Sequence, residues 1–106
     1  MQQLTFIEYF ILIEASKIEV LSEMSPPPDD VDVDHKLLFD AENASTGAHV
    51  HSISNFLHSY KGAISLLKKT VDHDARIQLW EIVKRNEEKL RSLLTKIRLE
   101  KSSDFA

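Results

Sequence analysis

Between Ile53 and Val71 the residues Ile53, Leu57, Tyr60, Ile64, Leu67 and Val71 recur at alternating spacings of four and three. That is the seam of a helix packed lengthwise on another helix, and it leaves few folds open. A second seam runs through Trp80, Val83, Leu90, Leu94 and Ile97, widened by Leu79, Ile82 and Leu93. It predicts a helix from about Ala75 to Lys101. Asn86 and Glu87 stand where this seam should continue, and a polar residue there fixes register at some cost in stability. Asp72-His73-Asp74 reads as the turn between the two, with an aspartate to cap the second helix. The result is an antiparallel helical hairpin. A hairpin alone buries little, so a four-helix bundle formed by homodimerisation is the expected solution.

The rest of the chain agrees with an all-α class. It has only two glycines, and its three prolines are consecutive, so long stretches are free to be helical. Residues 1–24 are expected to hold an additional N-terminal helix, from Leu4 to Glu23. Phe6, Ile7, Phe10, Ile11, Ile13, Ile18 and Leu21 give it a broad apolar surface that needs cover. Packing on its own domain is the simpler expectation; a dimer contact or a docking helix is the alternative. Residues 25–35 read as a linker, opened by Pro26-Pro27-Pro28. Asp29, Asp30, Asp32 and Asp34 follow as a solvated spacer, without the glycine and terminal glutamate of a calcium-binding loop. Residues 36–106 then form the hairpin domain, with Asp34 as a helix cap and a break or kink at Gly47.

Several function classes drop out at this point. At 106 residues, with 42% apolar and 28% charged side chains, the chain is one ordered domain rather than a disordered tail. The absence of cysteine excludes disulfides, zinc–thiolate sites and thiol catalysis. A net charge of −4 argues against nucleic acid as the main partner. The run from Phe6 to Ile13 is interrupted by Glu8 and stopped by Glu14, too short for a membrane span. Met1-Gln2-Gln3 lacks the basic start of a signal peptide, and a cytoplasmic setting is expected. No Ser-His-acid arrangement or phosphate loop is present.

What remains is a pair of histidines. With Leu57 and Ile64 at heptad position a, and Ile53, Tyr60 and Leu67 at d, His51 and His58 both fall at b. Asn55 and Gly62 fall at f. All four are expected to face solvent on one helix. Surface histidines are commonly inert, and that is the plain alternative. Yet an unperturbed imidazole is largely neutral at physiological pH, and its free nitrogen is a nucleophile toward phosphorus. Lys61 could favour a phosphoryl group, and Gly62 could admit a partner backbone. His49 and His51, two apart on a helix, point away from each other, so no metal site is expected.

These residues resemble a known family. The stretch from His51 to Leu67, then Leu79 to Ser102, is similar to the dimerisation and phosphoacceptor domain of two-component sensor histidine kinases. His51 matches its acceptor, Asn55 the position four residues on, Leu57 its leucine and Gly62 the glycine eleven residues on. The hairpin also resembles that of the sporulation initiation phosphotransferase. His58-Ser59-Tyr60-Lys61-Gly62 looks, more weakly, like the His-x-x-Lys-Gly signature of histidine phosphotransfer domains, which makes His58 the alternative phosphoacceptor.

The resemblance implies a phosphorelay protein whose His51, aided by Asn55, exchanges a phosphoryl group with the aspartate of a response-regulator receiver. His58, Lys61 and Gly62 would dock a receiver or a histidine kinase. Magnesium would come with the receiver, leaving the chain with no cofactor of its own. Ser52 replaces the family's acid and Phe56 its proline, and nothing resembles an ATP-binding domain. The chain is therefore expected not to be a complete kinase. The rival expectation is an inactive helical adaptor that binds a kinase or a regulator.

Overall fold

The computed structural model describes residues 4–45 and 47–103. Residues 1–3, 46 and 104–106, which belong to the expected segments 1–24 and 36–106, lie outside them. The order is α1 Phe6–Ser16, α2 His35–Ala44, a 3-10 turn Gly47–His49, α3 Val50–Lys69 and α4 His73–Ser103. Among the described residues there is no strand. The chain is all-helical and compact, with extents of 51 × 32 × 24 Å. Its long axis matches α4, whose 31 residues span about 46 Å at the α-helical rise.

The α3–α4 hairpin is the frame. Ile53, Leu57, Tyr60, Ile64 and Leu67 are buried, as the seam predicts, and Ala63 and Leu66 join them. Across from them Leu79, Val83, Leu90 and Ile97 are buried, with Trp80, Ile82, Leu93 and Leu94 packed at the margin. Leu79 is thus central rather than a widening residue. Val71 departs from the expectation: it is 94% exposed, because α3 ends at Lys69. The end is held by polar groups that take the last carbonyls. Thr70 Oγ1 donates to Leu66 O, and the Arg76 guanidinium donates to Leu67 O and Thr70 O. Asp72 accepts the Ala75 N–H at 2.9 Å and caps α4, which starts two residues earlier than the seam suggests.

The cover for this hairpin comes from the same chain. α1 and α2 each pack on both α3 and α4, and Ile11, Ala15, Leu37 and Ala41 enter the common core. α1 is shorter than the expected Leu4–Glu23. A capping box opens it: Thr5 accepts from Glu8 N–H, and Glu8 accepts from Thr5 N–H. After Ser16 the chain leaves the helix, and Gln78 on α4 donates to Ile18 O at 2.7 Å, pinning the exit. The Glu8 carboxylate is buried. Burial pushes its pKa up, but hydrogen bonds from Thr5 and the Lys69 ammonium at 3.2 Å outweigh it and hold it below the usual value.

Asp34 joins three helices. Its carboxylate accepts from the Lys36 and Leu37 N–H groups and caps α2. The other carboxylate oxygen pairs with Arg91 of α4 at 2.9 Å. Its own N–H donates to the hydroxyl of Tyr60 on α3, also at 2.9 Å. The aspartate stretch is therefore only partly a spacer, since Asp32 also pairs with Lys68. Gly47, at φ +60, makes the break expected there and turns the chain from α2 into α3. Tyr60 is 1% exposed, so Tyr60→Phe leaves the Asp34 N–H without its partner. We expect a loss of about 1 kcal/mol in urea unfolding, with helicity unchanged; an unaltered midpoint would remove this bond from the account.

Candidate functional site

The histidine-bearing face of α3 follows from its heptad phase. With the seam residues turned inward, His51 and His58 are both exposed, as is Asn55 one turn beyond His51. The His51 imidazole makes no hydrogen bond to another described residue. His58 Nδ1 lies 3.5 Å from Ser54 Oγ, a long contact within the same helix. His49, by contrast, is half-buried at the start of α3. Its Nε2 meets Glu100 of α4 at 3.1 Å, tying the open end of the hairpin. Among the described residues no group of three or more His, Cys, Asp or Glu side chains could hold a metal ion. No described helix is long and apolar enough to cross a membrane.

Gly62 departs from the expected solvent-facing position. It lies under α1, where a Cβ would stand 2.6 Å from Ile11 Cδ1 and 3.4 Å from Ile7 Cγ2. The glycine is a notch for this chain's own helix. Lys61, beside it, is exposed.

The seating of α1 creates a groove that the sequence does not announce. It measures about 570 Å³. α3 contributes Asn55, His58 and Ser59 to it, and α4 contributes Arg85, Asn86 and Lys89. α1 supplies the apolar wall, with Phe6 and Phe10 tilted against each other at 5.7 Å between ring centroids. The structure therefore brings Asn55 and His58 together with two cations of α4, while His51 and Lys61 stay outside. Phe56, where the resembled family has proline, is half-buried with the Lys89 ammonium 5.7 Å from its ring centroid. Asn86, the interruption in the second seam, donates to Ile82 O and faces this groove. In the sequence that interruption reads only as a device that fixes register.

Comparison with family models, with curated proteins and with solved structures finds no match.

The notch gives a direct test of how α1 is seated. In Gly62→Ala the added methyl displaces only the flexible end of Ile11, and the gain in helix propensity, about 1 kcal/mol, offsets that cost. Gly62→Leu must lift α1 and should lose about 1–3 kcal/mol in urea unfolding. Equal stability of the leucine variant and wild type would mean that α1 does not rest on this face.

Proposed function

We propose that this chain is a histidine phosphotransfer domain of a two-component relay, with His51 as acceptor. The observation that carries the reading is an exposed imidazole, with an exposed carboxamide one turn on, along a 20-residue helix held rigid by the core. A neutral ring nitrogen of His51 attacks the phosphorus of a receiver's aspartyl phosphate. The N–P bond forms as the P–O bond to the aspartate breaks, the carboxylate leaves, and the imidazolium gives up its other ring proton to solvent. The exchange also runs in reverse. Asn55 hydrogen-bonds the transferring phosphoryl oxygens. His58 and Lys61 form the exposed part of the docking face for a receiver or a kinase. The receiver brings the magnesium ion. Homodimerisation would be a further property of the chain, but the hairpin does not need it for cover, because α1 and α2 supply that.

A second reading is favoured by the exposed apolar residues of α1. Phe6, Tyr9, Phe10 and Ile13 are exposed there, an apolar stripe of the kind that binds protein. With Ser52 and Phe56 in place of the family's acid and proline, the chain would then act as an adaptor that binds a kinase or regulator without transfer.

Incubation with a histidine kinase and ATP, or with a phosphorylated receiver, separates the readings. The expected product is acid-labile, base-stable phosphate that falls to background in His51→Gln and persists in His58→Gln. Label lost only in His58→Gln would move the acceptor to His58. Binding of the partner without any label would establish the adaptor.

A further inference from the structure

The groove between α1 and the hairpin has a chemistry that phosphotransfer at His51 does not use. One wall is aromatic: Phe6 and Phe10 are 79% and 55% exposed and meet in a tilted ring contact. The opposite wall carries Arg85 and Lys89, four residues apart on α4, and His58 of α3. Like charges at that spacing repel, at a cost of about 0.2–0.5 kcal/mol in an isolated helix. Neither cation has a carboxylate partner among the described residues. The acid lining the groove, Glu14, is engaged with Lys17 at 3.2 Å. A local excess of positive charge thus faces an aromatic wall on a chain whose net charge is −4.

We infer that this groove binds a small amphipathic anion: a carboxylate, sulfonate or phosphate group carried on an apolar or aromatic body. Arg85 and Lys89 take the anionic head by charge-assisted hydrogen bonds. Phe6 and Phe10 take the body, and Asn55 and Asn86 offer neutral hydrogen bonds between the two. The volume of about 570 Å³ falls in the ordinary range for small-molecule sites and accommodates a molecule of that kind rather than a folded partner. A bound molecule would lie against His58 and Asn55. The inference does not rest on phosphotransfer, and its test uses unphosphorylated protein alone.

The probe is anilinonaphthalene sulfonate, followed by its fluorescence on titration of the full chain. We expect saturable binding at one site per chain, displaced by decyl phosphate and not by decanol. The uncharged N-phenylnaphthylamine should bind at least about tenfold more weakly. Arg85→Gln with Lys89→Gln should weaken the sulfonate about tenfold, and Phe10→Ser should weaken it comparably. Lys96→Gln with Arg98→Gln, cations outside the groove, should leave it unchanged. All the substituted side chains are exposed, and helicity and unfolding midpoint are checked for each variant. Should the double variant fail to fold, Lys89→Glu alone serves in its place. Absent or non-saturable binding would overturn the inference. So would equal affinity for the uncharged dye, or wild-type affinity in the Arg85/Lys89 or Phe10 variants.

Discussion

The structure depends on the packing of α3 against α4. Two helices joined by a tight turn share one apolar seam, but each has a face too wide for its partner to cover. On α3, Ala63 and Leu66 are as buried as the heptad residues themselves. Something must lie over that extra width. In this chain it is α1 and α2, short helices of 11 and 10 residues that would have little stability alone. They are held by specific devices: the Gly62 notch under Ile11, the pair between buried Glu8 and exposed Lys69, and the Asp34 bonds to Tyr60 and Arg91. With them the hairpin shares one core with α1 and α2.

Much of this was legible in the sequence, for physical reasons. Seam residues announce themselves because a buried stripe on a long helix must repeat with the helix period. The same phase placed His51, Asn55 and His58 outside the core. Asp34 and Gly47 were readable because caps and left-handed turns demand particular side chains. The errors have a common origin in contacts between residues distant in sequence. Val71 fits the periodicity yet lies beyond the helix end, because Arg76 and Thr70 take the last carbonyls. α1 is apolar nearly all round, so its pattern could not say which side would be buried. Gly62 follows from that: its solvent-facing heptad position holds only until another helix lands on it. The groove exists only through this landing, and so no local pattern could reveal it.

The two histidines consequently occupy different surroundings, although they stand one heptad apart on one helix. His51 lies on open surface, where a partner's active site can close over it. His58 lines a groove beside Arg85 and Lys89. We assign the proposed acceptor role to His51, on the match of Asn55, Leu57 and Gly62 around it, and binding to the groove at His58. Ser52 bears on the rate of any transfer, since a carboxylate at that place would help to activate the imidazole.

The most direct measurement is residue-level mapping of phosphate after incubation with phosphoramidate, a small phosphoryl donor that needs no partner protein. The protein is digested and fragmented under alkaline conditions that preserve phosphohistidine. We expect one principal site, at His51, among the five histidines of the chain. Phosphate spread evenly over His35, His49, His51, His58 and His73, or none on His51, would contradict it.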